Sequence, residues 1–103
     1  MIDNIFSALA DPSRREIISI LYRREQLPVG VIAKQFPHLT RQAVSKHIQQ
    51  LVDAGVVQKS RRGRNTFCDL NEESFQEIGR WLYQYDRFWT SKLDNLKRHL
   101  DDG

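Results

Sequence analysis

Thr40-Arg41-Gln42-Ala43-Val44-Ser45-Lys46-His47-Ile48-Gln49-Gln50-Leu51-Val52-Asp53-Ala54-Gly55 is the stretch on which the fold turns. The Thr40 hydroxyl can accept from a backbone N–H of a first helical turn, and Gly55 can take the left-handed position that closes a last one. The spacing therefore predicts a helix opened by Thr40 and running to Ala54. At ~100° per residue, Val44, Ile48, Leu51 and Val52 lie within about 60° of one direction and must pack inward. The other side shows Gln42, Ala43, Lys46, His47 and Gln50, with Ser45 and Gln49 on the flanks. No acid occurs from Thr40 to Val52, whereas a merely solvated face usually mixes both signs. That absence points to an anionic partner. The chemistry suits base edges, since glutamine can pair with adenine, lysine can donate to guanine and an alanine methyl can touch a thymine methyl. Thr40 and Arg41, at the helix N-terminus, suit phosphate.

Upstream, Val29, Ile32, Ala33 and Phe36 mark a short helix that stops at Pro37, leaving Pro37-His38-Leu39 as the turn. Residues 29–54 thus read as a helix-turn-helix, a motif that lays its second helix in the DNA major groove. Asp11-Pro12 is a strong helix start, and Ile17, Ile18, Leu21 and Tyr22 form the stripe behind it. Ile2, Ile5, Phe6 and Leu9 recur at helical spacing before that break, so two helices occupy 2–24, and Leu27-Pro28 reads as an extended link.

Downstream, Val56–Ser60 and Thr66–Leu70 are strand-like runs around Arg61-Arg62-Gly63-Arg64-Asn65, giving a hairpin over 56–70 with glycine in its turn. Lys59, Arg61, Arg62 and Arg64 stand on it without an acid among them. Its tip can reach phosphate or minor groove beside the helix. From Asn71, one last helix over 72–100 carries Phe75, Ile78, Leu82, Tyr85, Trp89, Leu93, Leu96 and Leu100 at spacings of three and four. About 28 helical residues would extend ~42 Å and outrun a small domain, so a partner subunit is the expected cover. Trp81, Phe88 and Trp89 add aromatic bulk, which suits core or interface first and the lining of a small-ligand pocket second.

The fold class is therefore mainly α with a small β-hairpin, in the order α-α-α-α-β-β-α, within one domain over 1–103. A chain of 103 residues builds one modest core and leaves no room for a second. With 16 Lys and Arg against 13 Asp and Glu, the net charge of +3 argues weakly for an anionic partner, and where the charges sit must decide. The single Cys68 excludes an intramolecular disulfide, and the N-terminus lacks the basic and apolar segments of a signal peptide, so a cytoplasmic location is expected. The longest uncharged stretch, Gln26 to Ala33, is far short of the ~20 apolar residues that span a bilayer. No Ser-His-Asp spacing, phosphate-cradling glycine loop or carboxylate pair is present to support catalysis, and no cofactor is expected.

Four strings together resemble the ArsR/SmtB family of small bacterial and archaeal winged helix-turn-helix repressors: residues 6–15 (Phe-Ser-Ala-Leu-Ala-Asp-Pro-Ser-Arg-Arg), residues 40–48, Leu51-Val52-Asp53-Ala54-Gly55-Val56-Val57, and the Arg-Gly-Arg of the wing. The resemblance covers nearly the whole chain. It implies a homodimer built from the first and last helices, which adds Ile2, Ile5 and Phe6 to Leu82, Tyr85, Trp89, Leu93 and Leu96 at the interface. It also implies double-stranded DNA as the partner, through an inverted-repeat operator near the protein's own promoter, with repression of transcription and release by a small-molecule or metal effector. The DNA-contacting set it suggests is Thr40, Arg41, Gln42, Ala43, Ser45, Lys46, His47, Arg61, Arg62 and Arg64.

The family's metal sites have no clear counterpart here, and no metal is expected. Val29 to Phe36 lacks the cysteine pair of one site. For the other, Asp86-Arg87-Phe88 and His99-Leu100-Asp101-Asp102 keep the spacing, but Phe88 stands where a histidine ligand would. A metal-responsive sensor, with Asp86, His99 and Asp102 drawn together across a dimer, and a winged helix serving only protein interaction are the alternative functions.

Overall fold

In the computed structural model the chain is described over residues 2–102, and the side chains of Trp89 and Asp102 lie outside that description. The elements run α1 (Ile2–Leu9), α2 (Pro12–Arg24), β1 (Gln26–Pro28), α3 (Val29–Lys34), α4 (Arg41–Asp53), β2 (Val57–Arg62), β3 (Asn65–Leu70), α5 (Glu72–Tyr83) and α6 (Asp86–Asp102).

The punctuation expected from sequence has its reasons in hydrogen bonds. The Asp11 carboxylate caps α2 by accepting from the Ser13 and Arg14 backbone N–H groups, with Pro12 at the first helical position. The Thr40 hydroxyl accepts from Ala43 N–H at 3.0 Å to open α4. At the other end of α4, Gly55 sits at φ +82° while its N–H bonds to Val52 O and the Val56 N–H reaches back to Leu51 O. These two bonds form a Schellman motif, sealed by the fully buried Leu51 and Val56 side chains. Asn71 caps α5 through Glu73 N–H.

Four expectations need correcting. The hairpin is part of a three-stranded antiparallel sheet in the order β1-β3-β2, because the link at Gln26–Pro28 pairs with Asp69, Cys68 and Phe67. Proline is tolerated there since β1 is an edge, and a three-residue strand has no periodicity to read. Glu25, at φ 67° and ψ −77°, makes the sharp reversal that feeds α2 into β1. Second, α3 stops at Lys34 rather than at Phe36, whose buried ring plugs the turn instead. Third, α2 is rotated from the expected stripe: Ile17, Ile20 and Leu21 are buried, while Tyr22 is 81% exposed.

Fourth, the last helix is two helices. The Tyr85 N–H bonds to Leu82 O, three residues back, at 2.9 Å, and this tightened turn ends α5. It brings the Tyr85 ring to 5.1 Å from Trp81, which meets Phe6 of α1 edge-on at 5.1 Å. No proline or glycine marks the break, and the apolar spacing runs through it. Asp86 supplies a carboxylate to the first turn of α6, where the helix dipole favours one.

The core gathers Ile5, Ile17, Leu21, Ile32, Val44, Ile48, Leu51, Val56 and Cys68, with Phe75 and Ile78 of α5 packed at its edge. Ile5 is 1% exposed and is committed to the chain's own interior, so it is unavailable to a dimer interface; Ile2 and Phe6 remain half-buried. Burial pushes the Cys68 thiol above its usual range. Beyond α5, α6 makes at most marginal contact with the other elements. The molecule accordingly measures 52 × 32 × 21 Å with a radius of gyration of 16.5 Å, where a compact chain of this length would have about 13 Å. No helix among the described residues is long and apolar enough to cross a membrane.

Candidate nucleic-acid interface

Helix α4 packs its Val44, Ile48 and Leu51 side onto α2, α3 and β2 and turns the other side outward. Of the residues singled out from sequence, Thr40, Arg41, Gln42 and Lys46 are exposed, and Ala43 and Ser45 are half-buried at the borders of that face. The exposed arc continues through Gln49, Gln50 and Asp53, so its centre lies closer to Gln49 than the helical wheel suggested. Arg41 leans back over α3, with its guanidinium 3.7–3.9 Å from the position a side-chain carbon would occupy on Gly30.

His47 does not belong to this face. Its Nδ1 is buried, has no hydrogen-bond partner among the described residues and lies 4.0 Å from the Asp11 carboxylate at the start of α2. The ring therefore joins α4 to α2. Asp11 is held below the usual carboxylate range, first by the Arg14 backbone N–H, then by the Ser13 N–H and by the His47 and Arg14 charges, with desolvation opposing. The sequence signal was available: on the wheel His47 stands about 60° from the buried Val44, against about 160° for Lys46.

The wing is better ordered than a run of arginines suggests. Arg61 pairs with Thr66 and Arg62 with Asn65, so both lie in strand β2, and only Gly63 and Arg64 form the turn. Gly63 has φ +60° at the first central position, as a II′ hairpin turn requires. Side chains alternate across a strand, and Val57, Lys59 and Arg61 share the side that faces α4: Val57 is buried, and Lys59 Nζ donates to Gln49 Oε1 at 2.9 Å. Arg62 is on the opposite side, 5.4 Å from the centroid of Phe67. Arg61, Arg62 and Arg64 are all exposed. Lys59, itself exposed, connects the wing to α4.

Arg14 was not singled out at all. Its Nε donates to Ala8 O at 2.6 Å, one terminal nitrogen to Ser7 O at 3.3 Å and the other to Gln50 Oε1 at 2.8 Å. Nothing in the spacing signals a contact across 36 positions.

Asp86 and His99 stand 13 positions apart on α6, which is about 20 Å along a helix. They cannot share an ion within one chain, and Asp102 lies outside the described side chains. Among the described residues no three His, Cys, Asp or Glu groups converge as a metal site would need.

A helix-turn-helix domain family matches residues 9–59. The uncharacterized HTH-type transcriptional regulator YuzN of Bacillus subtilis is 36% identical over 81 residues, 74% of this chain and 88% of that protein. The transcriptional repressor SdpR of the same organism is 29% identical over 83 residues, 81% of this chain and 90% of SdpR. Among solved structures, the ArsR family transcriptional regulator RHA00566 superposes with a TM-score of 0.73 at 34% identity, covering 86% of this chain and 90% of that one. The homodimeric winged helix-turn-helix domain of Mb0332 from Mycobacterium bovis shares the fold at a TM-score of 0.66 and 21% identity, over 82% of this chain and 78% of its own.

Proposed function

The chain belongs to the ArsR family of winged helix-turn-helix DNA-binding transcriptional regulators, and from that premise we propose that it acts as a homodimeric repressor on an inverted-repeat operator, its own promoter included. Its relatives are transcriptional regulators, and the chain is not an enzyme. The observation that carries the finer reading is a capped helix whose outward arc bears Gln42 and Lys46 without an acid before Asp53, beside a hairpin that exposes Arg61, Arg62 and Arg64. Gln42, Lys46 and the Ala43 methyl read base edges, with Ser45 at the border of that face. Thr40 and Arg41 meet phosphate at the helix start, and the wing holds the flanking backbone.

A two-fold pair needs cover for the apolar side of α5 and α6, and SdpR and Mb0332 supply the precedents of a repressor and a homodimer. The interface then uses Ile2 and Phe6 with Leu82, Tyr85, Leu93 and Leu96, and by its position Trp89. Two heads related by a two-fold axis set their recognition helices ~34–36 Å apart, in successive major grooves.

Selection of bound fragments from genomic DNA tests this. The expected product is an inverted repeat that includes the upstream region of the protein's own operon. If about six cations meet phosphates, log affinity should fall against log salt with a slope near −5. Lys46→Ala should relax preference at particular bases, and Arg62→Ala should weaken all sequences alike. Binding that ignores salt, or selected fragments without two-fold symmetry, would overturn the proposal.

A further inference from the structure

The adjacent glutamines near the end of α4, Gln49 and Gln50, are exposed and carry the amide groups that suit adenine. Their chemistry, however, is already engaged. Gln50 Oε1 accepts from Arg14 at 2.8 Å. Gln49 Oε1 accepts from Lys59 Nζ at 2.9 Å, and its Nε2 donates to Asp53 Oδ1 at 2.8 Å. Asp53 also places a carboxylate on the outward arc one turn beyond Gln49, where it repels an approaching phosphate.

We propose that Gln49 and Gln50 are positioning residues: together they lock the recognition helix to the wing on one side and to the end of α1 on the other. The two cations come from different elements. Arg14 stands in the first turn of α2, and its fork spends two further donors on carbonyls in the last turn of α1: Ala8 O, and Ser7 O, which also accepts from the Ala10 N–H. Because the guanidinium is planar and its donors are fixed in direction, one rigid group spans the end of α1 and the last turn of α4. Lys59 is the base of the wing, and its bond to Gln49 fixes the angle between hairpin and helix.

This inference rests on the dimeric repressor reading and gives it a mechanical consequence. Phe6 of α1 and Trp81 of α5 lie together on the side where the two subunits are proposed to meet. The pose of α4 relative to α1 then decides the distance between the two recognition helices. Arg14 and Gln50 transmit operator spacing, while Lys59 and Gln49 transmit wing placement.

Gln50→Ala separates this from base reading and leaves Arg14 its two carbonyls on α1, which Arg14→Ala would not. Selection from a library of half-sites at varied spacing should return one spacing for the parent protein. For Q50A it should return the same half-site bases at that spacing and at one base pair more or less. Losing one exposed hydrogen bond should weaken binding to the parent's operator by about fivefold and leave binding to random DNA within about twofold. Q49A should keep bases and spacing and shorten the protected flank outside each half-site. A changed base preference at one position with spacing intact would make Gln50 a reader, and unchanged spacing and affinity would make the contact idle; both overturn the proposal. A parent protein that selects no inverted repeat defeats the repressor reading instead. Amide hydrogen exchange then decides the positioning by itself: Q50A should speed exchange in the last turn of α4, and unchanged exchange overturns the lock.

Discussion

Helices α4 and α6 carry similar apolar stripes, and the chain covers only one of them. Val44, Ile48 and Leu51 of α4 are at most 1% exposed, while Leu93, Leu96 and Leu100 of α6 are 56–69% exposed. Each helix is amphipathic in sequence; the difference lies in what stands opposite. Around α4 are α1, α2, α3 and β2, supplied by the chain on both sides of it. Beyond α6 no further element follows among the described residues. Helical periodicity measures a need for burial and is silent about who supplies it.

The largest test of this contrast is to remove the stripe of α6. In a two-fold interface each substitution counts twice. Leu93→Ala with Leu96→Ala therefore removes four side chains, each with roughly half its surface left to cover, for ~3–6 kcal/mol or two to four decades in the dimer dissociation constant. Sedimentation should show a monomer whose helical content is retained, since none of that surface belongs to the head's core. Global unfolding would mean that α6 is covered by its own chain. Next comes the matched change in α4: Ile48→Ala should cost ~2–5 kcal/mol of stability, seen as a lowered thermal midpoint at every protein concentration. A midpoint that recovers on raising the concentration would place Ile48 in the partner interface. Smaller again, Thr40→Ala should cost ~1 kcal/mol by removing the cap that accepts from Ala43 N–H. Affinity for DNA should fall further than the lost stability explains, because the proposed interface also sets this hydroxyl against phosphate; a loss that matches stability alone would leave Thr40 a cap and nothing more.

The head was legible because its signals are local. Asp11-Pro12, Thr40 and Gly55 fix helix ends through bonds that span two to five positions, and Gly63 fixes the hairpin tip. What escaped was non-local or too short for a period. Strand β1 has three residues and gains its identity from β3, some forty positions on. The break at Gln84-Tyr85 is held by one tightened turn and the tilted contact of the Tyr85 ring with Trp81. The site divides the same way: exposure of Gln42 and Lys46 follows from the wheel, whereas the grip of Arg14 on Gln50 and of Lys59 on Gln49 is a property of packing. His47 lay between, because its angle on the wheel already turned it toward the core.

The smallest expected effect concerns that last contact, where the head's own wiring meets α4. Asp11 is depressed below the usual carboxylate range by the Arg14 and Ser13 N–H groups and by His47, so the folded state binds its proton less readily than the unfolded chain does. The stability this contributes is complete above the unfolded value of about 3.9 and is lost as pH falls through the lowered folded value. Asp11→Asn keeps an amide oxygen that can cap α2 but removes the titration. The parent protein should therefore melt above the variant at pH 7, by less than the Thr40→Ala shift, and the two should converge as pH falls from the unfolded value through the lowered folded one. A gap that persists unchanged in acid would show that the carboxylate works as a neutral acceptor would, and that the charge facing His47 contributes nothing to holding α4 against α2.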